Sequence, residues 1–122
     1  MFYRVIDIND LFTNKEDDHE IIELISNSGS QLKLISIKKN SGFDSHMSNT
    51  NVFLYVTEGE LELFFPKETI CGCSMCGTTI PEKHDNENRE YKIKKGQMFI
   101  FEKDTKHSLK AVKDSKFIMV KI

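Results

Sequence analysis

The residues of this 122-residue sequence best suited to chemistry are a cluster of thiols and two separated imidazoles. Cys71, Cys73 and Cys76 are followed by His84, with the spacing C-x-C-x2-C-x7-H. An odd, clustered cysteine count makes a poor disulfide framework, because bridges need paired thiols and an oxidising compartment. Thiolates and imidazole suit zinc, which takes four sulfur or nitrogen ligands tetrahedrally in structural sites. Only Cys73 and Cys76 form a standard C-x2-C pair. Three readings therefore stand side by side: a zinc ion on Cys71, Cys73, Cys76 and His84, a redox-sensing thiol group, which would need a depressed cysteine pKa, or three cysteines without a role. An iron–sulfur cluster suits a lone loop less well than zinc does. The imidazoles are His46 and His107. A neutral imidazole both donates and accepts a hydrogen bond, so a pair of them can hold a polar ligand, contribute to a metal site, or simply line a polar cavity.

The elements that must position these groups are strands. Val52–Thr57 is a β-branched and aromatic run, and beyond Glu58-Gly59 the residues Leu61, Leu63 and Phe65 alternate with Glu60, Glu62 and Phe64. That is the period of two expected when one face of a strand is buried. His19–Ser26 and Gln31–Lys39 flank Asn27-Ser28-Gly29-Ser30, which predicts a hairpin. Further strands are expected over 90–93, 97–102, 107–112 and 116–122, separated by Lys95-Gly96, Lys103-Asp104 and Lys113-Asp114-Ser115. Only 8–12 offers a helical turn, with Asn9 as the expected N-cap. Short strands at near-regular spacing point to an all-β sandwich or barrel. The stretch 66–89 lacks strand periodicity, and long loops in compact domains are usually functional or disordered. It holds all three cysteines and His84, and strands over 60–65 and 90–94 are expected to carry it as a hairpin. Phe53, Tyr55, Phe64, Phe99, Phe101, Phe117 and Met119 are expected in the core or at a dimer contact.

Composition bounds the rest. A chain of this length makes one domain, 1–122, and buries about two-thirds of its unfolded surface, enough for an ordinary core. The formal net charge of −2 lacks the basic footprint of a nucleic-acid binder. No apolar run reaches the roughly 18–20 residues of a membrane span. The opening MFYRVIDINDLF has no basic region ahead of an apolar one, so no signal peptide and a cytoplasmic location are expected. Charge is uneven along the chain: residues 1–29 carry a net −5 and residues 90–122, with nine lysines, a net +5. Scattered lysines on strands read first as a solvated face, and second as an anion-attracting surface.

Two segments resemble a known family. GFDSHMSNTNVFLYVTEGELEL, from Gly42, is similar to the first cupin motif, and GQMFIFEKDTKH, from Gly96, to the second. The closing HSLKAVKDSKFIMVKI resembles the end of small single-domain bacterial cupins, and the likeness spans roughly 30–122 without the cysteine loop. It implies an all-β double-stranded β-helix, a jelly-roll barrel with its site inside. It also implies a ligand set of three histidines and one glutamate, and the match here is partial. His46 falls at the first histidine of the HxH pair, Ser48 at the second, Val52 at the glutamate and His107 at the histidine of the second motif. Glu102 and Asp104 stand where that motif has proline and glycine, and Ala111 where it has asparagine. Two imidazoles alone rarely hold a divalent ion, a serine hydroxyl is a weak ligand and valine is none.

Two functions follow as expectations. The first is a small-molecule-binding protein with a barrel pocket formed by His46, Ser48, Val52 and His107, free of stoichiometric metal and suited to a neutral or anionic ligand. The alternative is a metal-dependent cupin enzyme, a dioxygenase or an isomerase/epimerase, using His46 and His107. The epimerase reading would pair a histidine base with Tyr55 or Tyr91 as the acid. A third possibility is an interaction module built on the cysteine loop. The resemblance and the commonness of C2 symmetry lead to an expected homodimer, with no nucleic-acid or membrane partner.

Overall fold

The computed structural model describes residues 5–12, 17–66 and 89–122. Strands occupy most of them: β1 (His19–Asn27), β2 (Ser30–Ile37), β3 (Gly42–His46), β4 (Val52–Glu58), β5 (Glu60–Phe65), β6 (Arg89–Lys94), β7 (Met98–Phe101), β8 (His107–Ala111) and β9 (Ser115–Lys121). The helical turn α1 (Ile8–Leu11) is capped by Asp7, whose carboxylate accepts a hydrogen bond from the Asn9 N–H at 3.1 Å. The expected cap, Asn9, lies inside the turn, and its side-chain oxygen instead accepts from Lys116 Nζ.

A five-stranded sheet runs β1-β2-β9-β4-β7 and a four-stranded sheet β3-β8-β5-β6, with every pair antiparallel. β9 lies between β2 and β4, and β8 between β3 and β5, so the chain passes repeatedly from one sheet to the other as in a jelly roll. The β5–β6 hairpin is present as predicted, from Glu60↔Lys94 to Phe65↔Arg89. The cysteine loop it carries lies outside the described residues.

Alternation decides what is buried. Ile35, Ile37, Val52, Leu54, Val56 and Phe117 of the larger sheet meet Leu61, Leu63, Ile93, Leu109 and Ala111 of the smaller. Full burial of such large apolar side chains contributes about 1.5–3 kcal/mol each. Phe101 and Phe117 belong to this core, and Phe99 and Met119 pack against it. Phe53 and Tyr55 alternate with the core residues of β4, so they stand half-buried on the outer face. Phe64 does the same on β5.

Two glycines hold the sheets in register. Gly59, between β4 and β5, has φ +85, and a Cβ there would overlap the Ser115 hydroxyl and lie 2.5 Å from the Asp114 carbonyl oxygen. The Ser115 hydroxyl in turn accepts from the Glu60 N–H at 2.9 Å, which ties this turn to β9. At Gly42 a Cβ would run into the Leu109 carbonyl, so only glycine lets β3 approach β8. Among the described residues no helix is long and apolar enough to cross a membrane.

Candidate functional site

The β3–β8 pairing places His46 directly opposite His107, and the two rings stand 4.3 Å apart between centroids. Each ring is fixed by its own turn. His46 Nδ1 donates to the Asp44 carbonyl at 2.7 Å, and His107 Nδ1 to the Thr105 carbonyl at 2.8 Å. A carbonyl cannot donate, so the proton of each neutral imidazole resides on Nδ1 and the Nε2 lone pair is free. His107 is 5% exposed, whereas His46 is open to solvent. Burial holds the His107 pKa below the usual imidazole value; the Thr105 carbonyl opposes this, and the neighbouring His46 and Lys121 add to it.

Aromatic rings cluster at this end of the barrel. Phe101 lies 4.4 Å from His107, and Phe65 lies 5.7 Å from Phe101 and 6.3 Å from His107. Tyr91 joins them through Phe99, at 5.1 Å, and Phe65, at 5.8 Å. Of the two tyrosines considered as acids, Tyr91 thus belongs to the ring cluster that includes His107. Tyr55 does not: it pairs with Ile118 and Met98 on the outer side of the sheet.

Val52 is 2% exposed within the core and opposes both Phe101 and Lys121 across its strand neighbours. Paired residues of antiparallel strands project to the same face, so Val52, Phe101 and Lys121 share the inner surface. Ser48 is buried, but its hydroxyl is engaged by Thr50, whose own hydroxyl lies 2.8 Å away, and its carbonyl accepts from the Asp104 N–H at 2.7 Å. Asp104 has φ +62, the left-handed region where the second motif carries glycine.

Lys121 was not singled out by its sequence neighbourhood, where lysines read as a solvated face. The signal was present in the period of two, since Phe117 and Met119 point inward and Lys121 continues their row. Burial, and then the nearby Lys33, lower its pKa from the ordinary amine value.

Two imidazoles, a valine and an ammonium do not fit a tightly held divalent cation, which normally takes three or more protein ligands. Among the described residues no group of three or more His, Cys, Asp or Glu is placed to hold a metal ion. Cys71, Cys73, Cys76 and His84 lie outside the described residues. A separate open groove of about 470 Å³ runs along the outside of the four-stranded sheet, past Phe43, Phe64, Pro66 and Lys106, and neither His46 nor His107 lines it.

No family model matches the sequence, and no curated protein matches it. Solved structures do. A cupin superfamily protein from Desulfitobacterium hafniense superposes with a TM-score of 0.72 at 10% identity, covering 100% of this chain and 93% of that one. The chain has the cupin fold. A conserved protein of unknown function from Streptococcus pyogenes gives a TM-score of 0.71 at 18% identity, over 100% of this chain and 89% of that one. HppE with cobalt(II), in complex with its substrate, gives 0.63 at 16% identity, over 89% of this chain and 55% of that one. In this fold His46 and His107 lie side by side, and Val52 shares the inner surface with Phe101, which touches His107.

Proposed function

We propose that this chain is a small-molecule-binding protein of the cupin fold whose barrel mouth works without a resident metal ion. One observation carries the reading: position 52, where the first motif has glutamate, is a buried valine, and its cross-strand neighbour is the cationic Lys121. The ligand would rest against Phe65, Phe101 and Tyr91 and donate hydrogen bonds to the free Nε2 atoms. Such a site combines an apolar lining with a few oriented polar groups.

The test is metal analysis of protein purified without chelators, with a ligand screen on the same sample. The expected result is no stoichiometric iron, manganese, nickel or cobalt, together with ligands whose binding is lost in His46→Ala and His107→Ala. Full occupancy by a metal that depends on both histidines would overturn it.

The second reading, a metal-dependent enzyme, draws support from the fixed tautomers, because imidazoles held through Nδ1 present Nε2 as metal ligands do. HppE, a neighbour in fold, is recorded with cobalt(II) and substrate. In an epimerase version His46 or His107 would act as the base and Tyr91 as the acid.

The chain is further proposed to be a cytoplasmic homodimer. Met98 and Ile100 are 54% and 65% exposed on β7, next to half-buried Tyr55 and Phe53. This apolar outer face supports a second copy as the covering partner. Light scattering should give twice the 14.1 kDa chain mass, and the chain mass alone at micromolar concentration would refute it. A zinc ion on Cys71, Cys73, Cys76 and His84 is proposed from the ligand types alone.

A further inference from the structure

The inner row of each strand can be followed beyond the apolar core toward the histidines. On β2, Ile37 and Ile35 lie in the core, and the same face continues through Lys33 to Gln31. On β9, Phe117 and Met119 are followed by Lys121. The register joins the rows, with Ile35 opposite Phe117, Lys33 opposite Met119 and Gln31 opposite Lys121. On the far side of β9, Lys121 opposes Val52, which opposes Phe101, whose ring touches His107. Lys33, Lys121, His107 and His46 therefore follow one another around the same end of the barrel.

Lys33 and Lys121 are partly buried, which is costly for an ammonium without a partner. Glu23 is the carboxylate across from Lys33 on β1; it is exposed and makes no ion pair with Lys33 within 4 Å. Among the described residues neither lysine has a carboxylate within that distance. Lys33 lies close enough to Lys121, and Lys121 to His107, that the first disfavours charge on the second and the second on the third. At the end of the barrel where the motif's glutamate would supply negative charge, this chain supplies positive charge.

We propose that Lys33 and Lys121 form an oxyanion-binding end of the barrel mouth, taking the carboxylate or phosphate of a small ligand whose hydroxyl or N–H groups donate to Nε2 of His46 and His107. This rests on the reading of the mouth as a metal-free ligand site, and it names the class of ligand. Gln31, beside Lys121, offers an amide N–H to the same oxyanion. The ligand is thus a small hydroxylated acid or phosphate ester, and the neutral analogue binds more weakly because it leaves two ammonium groups without counter-charge.

The test uses the intact chain in metal-free buffer. Acetate, inorganic phosphate, D-gluconate and neutral D-glucose are titrated while the His46 and His107 ring resonances are followed by NMR. Saturable shifts are expected with the anions, with gluconate tighter than glucose by roughly tenfold or more. Comparison of acetate with phosphate tells which oxyanion is preferred. Lys33→Met and Lys121→Met should each weaken anion binding by roughly tenfold, whereas Lys92→Met, on the exposed β6, should leave it unchanged. Dispersed spectra of the variants show that they fold. Unchanged anion titrations in both lysine variants, glucose binding as well as gluconate, or no saturable shift with any anion would overturn the proposal. Metal analysis of the same sample judges the underlying reading separately: stoichiometric metal on the histidines defeats that reading, while glucose binding that is lost in His107→Ala but indifferent to the lysines preserves it and defeats this one.

Discussion

Introducing a carboxylate at position 52 tests the charge arrangement of the mouth directly. Val52 is 2% exposed, so Val52→Glu loses part of the roughly 1.5–3 kcal/mol that burial of an apolar side chain contributes, and it also desolvates a charge. Against this stands Lys121, its cross-strand partner, with Cβ atoms roughly 5 Å apart in such pairs. If the carboxylate and ammonium come to a similar separation, the attraction at an effective dielectric near 20 is about 3 kcal/mol. Solvent reaches part of Lys121, which reduces the expected coupling to about 1–2 kcal/mol. Urea unfolding of wild type, Val52→Glu, Lys121→Met and the double variant gives this coupling as the non-additive part of the cycle. Val52→Glu should be markedly more destabilising when Lys121 is Met. Additivity within about 0.3 kcal/mol would refute the shared inner face, and with it the electrostatic basis of the oxyanion site. Adding Ser48→His to Val52→Glu should create measurable cobalt binding, tighter still with Lys121→Met.

Gly59→Ala should destabilise the fold by about 2 kcal/mol or more, read by urea unfolding, since the new methyl meets Ser115 in a left-handed backbone; a loss under about 0.5 kcal/mol would contradict the close approach. Asp104→Gly relieves a side chain at φ +62 and should raise stability by about 0.5–1 kcal/mol, seen as a higher urea midpoint. His107 has a lowered folded pKa, so the unfolded chain binds the proton more readily and stability should fall as pH drops from about 6.5 toward the folded value. His107→Gln should flatten that part of the pH–stability curve. For the cysteine loop, one zinc per chain that disappears in Cys73→Ser is expected, and three freely reacting thiols without zinc would refute it.

Legibility in the sequence followed the strength of alternation. β4, β5, β8 and β9 were readable because Val52, Leu54, Val56, Leu61, Leu63, Leu109 and Phe117 repeat every second position, and their boundaries shift by a residue or two. β3 was not expected as a strand. Its residues GFDSH carry no alternation, four of the five are exposed, and the register breaks between Phe43 and His46. It is a strand because β8 offers it backbone partners. His46 and His107 came from motif spacing, which encodes this pairing. Lys33 and Lys121 were hidden by residue type, since composition places lysine outside while the row they occupy leads inside. The same rule separates Tyr91 from Tyr55, which are alike in type and opposite in face.

The β5–β6 hairpin has a consequence for how this protein tolerates change. Phe65 and Arg89 are paired neighbours, so whatever chain runs through residues 67–88 leaves and rejoins the barrel at adjacent points. Closing a loop between fixed ends grows costly only slowly with length, by about 0.6 kcal/mol for each doubling. The barrel is therefore nearly indifferent to what is spliced in there. The splice point also adjoins Phe65, whose ring faces His107. Shortening, lengthening or replacing the segment should leave the β5–β6 pairing and the barrel walls intact, much as a lathe accepts different tools on one rigid bed.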